Sequence, residues 1–331
     1  MASETKDRVA KACRFYVPCL LLVTAAAWLC GTRSALAVRP GEISVTAESV
    51  CVFRAIAAQH PDRKLRNPDD LADKLCPAPT RMYLPRDYSG ARQYIDNSGE
   101  TYAGYFYVNA RTHYIDAALE RAAAEGITQA VVLGAGFDSR AYRYHGSHPE
   151  LRFFEVDLPA TIEAKKKRLA GIFGDVPEYV RYAPIDFDTQ RLEDVLPALG
   201  YDAKQRTFFI LEGVTMYVKE AGNVATLRFI RHHSAPGSLV VYDYMLRQVI
   251  EGKFDGLYAI GSTAIGVAVL GEPYVTGWTP RGAAAFAKRQ GLRVVEDLGP
   301  KELTSRYLLG SDGKPDGRMT DGNRILEAKV P

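Results

Sequence analysis

Val131-Val132-Leu133-Gly134-Ala135-Gly136-Phe137-Asp138-Ser139-Arg140 is an apolar run that breaks into two glycines one residue apart. A short strand, Ala130–Leu133, running straight into such glycines predicts a tight turn where the backbone can approach a ligand closely. Alone, this Gly-x-Gly suits any nucleotide cofactor. The third glycine of the dinucleotide fingerprint would fall at position 139, which is serine. That argues against a pyrophosphate packed on the following helix.

Downstream, apolar strands alternate with amphipathic stretches. Strands are predicted at Leu151–Val156, Val180–Pro184, Thr207–Leu211 and Ser238–Tyr244, with helices at Leu158–Phe173, Gln190–Leu199 and Lys219–His233 between them. This alternation predicts βαβ units and a doubly wound, mostly parallel α/β sheet. A helix over Thr279–Gln290 and two strands, Leu292–Leu298 and Arg324–Lys329, predict an antiparallel edge pair. Gly252–Gly277 is Gly-rich and apolar and reads as an insertion near the substrate end. Upstream, Thr46–Gln59 and Tyr107–Glu125 predict helices, separated by Pro- and polar-rich stretches at 60–70 and 77–99.

Acids gather at the strand ends. The second strand ends in Glu155-Val156-Asp157, the third in Asp186-Phe187-Asp188 and the fourth in Glu212-Gly213. One such acid usually caps the next helix. A set of four consecutive ends carrying glycine or acid marks the carboxyl edge where open α/β sheets bind ligands. An acid at 157 suits the hydroxyls of a ribose, and a carboxylate with a ring at 186–187 suits an adenine.

These motifs resemble the leucine carboxyl methyltransferase family, which includes bacterial O-methyltransferases. The resemblance runs through Val131 to Arg143, through Phe153-Phe154-Glu155-Val156-Asp157-Leu158-Pro159 with Lys165 or Lys166 downstream, and through Ile185-Asp186-Phe187 and Leu211-Glu212-Gly213-Val214-Thr215-Met216-Tyr217. Ala110-Arg111-Thr112 fits an upstream arginine motif, and Gly271-Glu272-Pro273 fits a motif of the bacterial branch. The similarity covers roughly residues 45 to 331 and is most specific at the first two motifs. It implies a Rossmann-like class I methyltransferase sheet with an N-terminal helical cap, and S-adenosyl-L-methionine as cofactor. It also implies roles. Gly134, with Ala135 and Gly136, would sit under the methionine moiety, where a branched side chain at 134 would block the cofactor without unfolding the chain. Arg111 would pair with the methionine carboxylate, and Glu212 would lie near its amino group. Asp157 would hold the ribose, and Asp186 and Phe187 would contact the adenine.

Composition agrees with a folded α/β enzyme. The chain has 331 residues, is 47% apolar and 24% charged, and carries a net charge of +3. No basic stripe accompanies its nineteen tyrosines, which argues against a nucleic-acid partner. The run Lys165-Lys166-Lys167-Arg168 reads as a solvated helix face. Cys13, Cys19, Cys30, Cys51 and Cys76 match no zinc or thioredoxin-type spacing, and no metal site is expected. A Cys51–Cys76 disulfide would require export.

Residues 1–38 stand apart. Lys6, Arg8, Lys11 and Arg14 precede an uncharged run, Phe15–Leu29, and Ala35-Leu36-Ala37 forms a small-x-small site. This reads as a signal peptide, or as an uncleaved membrane anchor through residues 15–29. The expected organisation is therefore a targeting or anchoring segment (1–38), a helical cap (39–128) and a cofactor-binding domain (129–331). Localisation stays open, because the segment points outward while S-adenosylmethionine is a cytoplasmic metabolite.

The expected reaction is methylation of a carboxylate or hydroxyl on a small molecule or peptide. A carboxylate acceptor needs no base, because it is ionised at neutral pH. A hydroxyl needs one, and His113, Tyr217 and Tyr244 are the conceivable groups, with no catalytic residue assigned. Two other readings compete: a nucleotide-dependent oxidoreductase and a membrane-attached, non-catalytic binding module.

Overall fold

In a computed structural model the described residues are 43–76, 85, 87–185 and 190–331. The segment 1–38, with its expected signal or anchor, lies outside them.

The strands form where expected: β1 (Gln129–Leu133), β2 (Arg152–Asp157), β3 (Val180–Pro184), β4 (Thr207–Leu211), β5 (Leu239–Met245), β6 (Arg293–Leu298) and β7 (Asn323–Lys329). They make one sheet in the order β3-β2-β1-β4-β5-β7-β6. The first five are parallel, and β7 pairs antiparallel with both β5 and β6. The order reverses between β1 and β4, so the switch-point crevice opens at their carboxyl ends.

The strands are apolar on both faces because helices cover both. Side chains alternate. Ala130, Val132, Phe208 and Ile210 join a core with the cap helices α1 (Val45–Ala57) and α3 (Gly104–Ala124). Val131, Leu133, Phe209 and Leu211 join the core under α5 (Glu220–His232) and α7 (Pro280–Arg289). Between α1 and α3 lies α2 (Tyr88–Asn97); α4 (Pro159–Phe173) follows β2.

Some expectations need correction. Gln190–Leu199 is not one helix. Pro197 interrupts it, leaving a turn at Leu192–Val195 and a 3-10 turn at Pro197–Leu199. The glycine-rich insertion holds a helix, α6 (Ile260–Val269), and α8 (Pro300–Tyr307) follows β6. The basic run is not wholly solvated. Lys165 is fully buried against Glu155, with Nζ 2.7 Å from a carboxylate oxygen. Cys51 and Cys76 are buried thiols with sulfurs 3.2 Å apart, Cys76 donating to Cys51.

Candidate functional site

The carboxyl ends of β1, β2, β4 and β5 meet two cap helices in a cluster of buried charges. At the end of β1, the Gly134 and Ala135 N–H groups both donate to the Val156 carbonyl, at 2.8 and 3.0 Å. Gly134 has φ +69°, a conformation that favours glycine. An added Cβ there would run into the Val214 side chain. A branched residue at 134 would therefore strain the protein itself, so the block expected at the cofactor carries a cost to the fold as well.

Asp157, at the end of β2, is half-buried and accepts two backbone N–H groups, Gly136 at 2.6 Å and Leu158 at 2.7 Å. Burial pushes its carboxyl upward, partly offset by those donors. Asp186 and Phe187 lie outside the described residues, as does Asp188. The chain is described up to Ile185, whose N–H donates to the Asp157 carbonyl at 2.9 Å.

Arg111 projects from α3 and is buried. Its Nη1 lies 2.5 Å from Asp243 of β5, and its Nε lies 3.1 Å from Glu212 at the end of β4. Asp243 also accepts the Gly213 N–H at 2.6 Å and the Tyr107 hydroxyl at 3.1 Å. A Cβ at Gly213 would lie in contact with the Arg111 guanidinium, and the positive φ of Gly213 favours glycine there. Glu212 accepts from Arg140 at 2.7 Å, and Arg54 of α1 comes within 3.8 Å. Burial opposes ionisation of Glu212, but Arg140, Arg111 and Arg54 hold its carboxyl well below the usual range.

The network extends further. Arg140 also pairs with Asp138 and, at 2.6 Å, with Asp116, which holds Arg143 at 2.8 Å. Arg54 pairs with Asp69 at 2.8 Å and donates to the Phe137 carbonyl at 2.8 Å. Ser139, where the dinucleotide fingerprint has glycine, donates to Asp69 at 2.5 Å. Within this network three polar atoms lack an aligned hydrogen bond: Arg111 Nε and Glu212 Oε1, which face each other as an ion pair at 3.1 Å, and Arg140 Nη2. Buried polar atoms rarely stay unpaired. Here they present guanidinium donors and a carboxylate acceptor side by side at the switch point.

The chain belongs to the leucine carboxyl methyltransferase family. The family model matches residues 47–231, more than half of the chain. Two relatives, in Bacillus subtilis and Streptomyces coelicolor, are named as candidate S-adenosyl-L-methionine-dependent methyltransferases. They are 29% identical over 198 residues and 34% over 222. These matches cover 60% and 65% of this chain, and 64% and 73% of the relatives. A third so named, in Streptomyces avermitilis, is 33% identical over 69% of this chain and 77% of its own length. The solved structure of a DUF574 family protein from Streptomyces avermitilis shares the fold, with a TM-score of 0.54 at 17% identity, covering 86% of this chain and 97% of that one.

Within this family fold, the structure brings Arg111, Gly134, Ala135, Gly136, Asp157 and Glu212 to one crevice. The sequence reading missed Arg54, Asp69, Asp116 and Asp243, and gave Arg140 no role. Asp243 had a signal, as the only acid in the apolar strand Leu239–Met245. Of the conceivable bases, His113 stacks against Tyr307, at 6.4 Å between ring centres, and Tyr244 donates to Asp297 at 2.9 Å on the edge-strand side. Tyr217 packs against Tyr274, at 5.3 Å between ring centres, and Tyr274 feels the charges of Asp243 and Arg111. The motif residue Glu272 turns out to be a helix cap. It accepts the N–H groups of Val45 and Thr46, at 2.9 and 3.3 Å, and the Ser44 hydroxyl at 3.0 Å.

Proposed function

We propose that the protein transfers the methyl group of S-adenosylmethionine to an oxygen of a small-molecule or peptide acceptor, with a carboxylate favoured over a hydroxyl. The observation that carries this reading is the set of under-partnered atoms at Arg111, Arg140 and Glu212 beside the glycine turn. A zwitterionic amino acid fits them, its carboxylate toward Arg111 and its ammonium toward Glu212. Asp157 suits the ribose hydroxyls, and Asp186 and Phe187 the adenine. S-adenosylmethionine supplies an activated methyl group, so this chain's residues have mainly to align donor and acceptor.

The preference for a carboxylate rests on proton affinities. Glu212 is held ionised by its arginines and is a weak base. Burial drives the Tyr217 hydroxyl far above its ordinary range, so at neutral pH it donates a hydrogen bond and does not abstract a proton. An acceptor already ionised asks neither group to move a proton.

Calorimetry on the full chain with S-adenosylmethionine, S-adenosylhomocysteine, NAD and NADP tests the cofactor. Binding of the first two alone is expected. Binding of a nicotinamide nucleotide alone would select the oxidoreductase reading. Transfer of labelled methyl to a base-labile product would support carboxyl methylation, whereas a base-stable ether would point to a hydroxyl.

A further inference from the structure

Cys51 and Cys76 take no part in methyl transfer, yet the fold sets one against the other. Cys51 lies on the inner face of α1 and is fully buried; Cys76 follows the helical turn Ala72–Leu75 and is 6% exposed. They stand 25 positions apart in sequence, with their sulfurs 3.2 Å apart. The Cys76 S–H donates to Cys51 Sγ across that gap, and the Cys51 S–H donates to the Ala72 carbonyl at 3.3 Å. A disulfide needs sulfurs about 2.05 Å apart, so only about 1.2 Å separates this contact from a bond. Two cysteines used merely as small core hydrophobes need no such alignment of sulfur on sulfur.

The surroundings favour reaction between them. The Cys76 hydrogen bond above all, with the charges of Arg54 and Arg168, pulls the Cys51 thiol below its ordinary range, against burial and the charge of Asp69. A lowered thiol carries more thiolate, the nucleophilic form. Arg168 of α4 is anchored on both sides of the pair: its Nη1 donates to the Leu75 carbonyl at 2.9 Å and its Nη2 to Glu48 of α1 at 2.8 Å.

The segments that the pair joins lead to the crevice. Asp69, at the start of the segment that ends in Cys76, holds Arg54 at 2.8 Å. Segment 69–76 thus grips α1 twice, by a salt bridge at one end and by facing sulfurs at the other. Arg54 in turn reaches Glu212 and the Phe137 carbonyl. A covalent bond between 51 and 76 would fasten the cap helix that delivers this arginine.

We propose that Cys51 and Cys76 form a reversible redox site, closed to a disulfide by a hydroperoxide, that clamps α1 to segment 69–76. In the step, the Cys76 thiolate attacks the peroxide, the O–O bond breaks, a sulfenic acid forms on Cys76 and hydroxide leaves. The Cys51 thiolate then displaces a second hydroxide from Cys76 as the S–S bond forms. The two thiol protons join the two hydroxides, so hydrogen peroxide takes two electrons and becomes two waters. A transient bond of this kind does not require export.

The test uses the full chain, reduced with dithiothreitol, freed of it and then treated with hydrogen peroxide. Mass spectrometry of an unreduced digest should show a linked peptide pair containing Cys51 and Cys76, a result that needs no variant. The melting temperature should rise by about 5 °C, because the bond closes a loop in the unfolded chain, and dithiothreitol should reverse both changes. Cys76→Ala treated in the same way should show neither. Free thiols at 51 and 76 after treatment, sulfinic acid at either without linkage, or linkage to Cys13, Cys19 or Cys30 instead would overturn the site. Linkage with the melting temperature unchanged or lowered, or an equal rise in Cys76→Ala, would overturn the clamp.

Discussion

The two ends of the crevice are built in opposite ways. At the end suited to methionine, Arg54 and Arg111 arrive from the cap and interlock with Arg140, Glu212 and Asp243 around the strand ends; the three arginines and Asp243 are buried, and Glu212 is enclosed among them. At the end suited to the nucleoside, Asp157 is half-buried and is held by two backbone N–H groups and the Thr161 side chain, outside the arginine network. A buried ion network is costly to breach, because removing one member strands the others in a low-dielectric interior. A carboxylate held by backbone and hydroxyl donors, outside the arginine network, can be lost with less collateral damage. The first end should therefore couple ligand binding to stability, and the second should not.

The sharpest way to break this contrast is at Arg140, which pairs with Asp116, Asp138 and Glu212. Arg140→Leu should cost about 3–5 kcal/mol of stability in urea unfolding, the scale for leaving buried charges unpaired. A loss below about 1 kcal/mol, typical of exposed pairs, would mean that the network is not holding the fold. Next comes Arg111→Gln. It should weaken S-adenosylhomocysteine binding by about 1.5–3 kcal/mol, the worth of a hydrogen bond to a charged group, and leave adenosine binding unchanged. Equal losses for both ligands would place Arg111 away from the amino-acid end.

Asp157→Ala is the mirror experiment. Adenosine and S-adenosylhomocysteine should each bind about 1–3 kcal/mol more weakly, with the melting temperature nearly intact. Loss for the larger ligand alone would reverse the assignment of the two ends. The smallest effect concerns pH. Beneath the nucleoside end, burial pushes Glu155 from its ordinary 4.5 up to about 7 even beside Lys165. Between those values the native state keeps a proton that the unfolded chain has released, so this group's contribution to stability falls as pH rises. Glu155→Gln should flatten the melting temperature across that window, and an unchanged slope would show that Glu155 ionises normally.

The sheet was legible because its strands are short apolar runs bounded by turn residues, and their ends carry the acids that mark the crevice. Other parts escaped for local reasons. The helix α6 is hidden by Gly261, Gly266 and an apolar pattern with no polar face. Likewise α2 sits in a stretch whose prolines suggest loop. In the site, Arg111 and Glu212 could be read because each belongs to a motif. Arg54 and Asp116 could not, since nothing local says that charges on cap helices turn inward to meet partners far along the chain. Lys165 was misread for the same reason, as it sits in a run of four bases and only the fold reveals the buried Glu155 beneath it.

Glu272 has a consequence for how the molecule fluctuates. It ties the insertion to the first turn of α1, while the N–H groups of Val275 and Thr276 donate to the Met216 carbonyl, at 2.8 and 3.2 Å, just past Glu212. The same α1 carries Arg54 to the charge cluster. Three segments distant in sequence thus form one cooperative unit, and opening any of them exposes the rest. Amide hydrogens in 45–54, 214–217 and 272–276 should then exchange with a common free energy of opening, so that the acceptor side of the crevice does not loosen while the donor side stays shut.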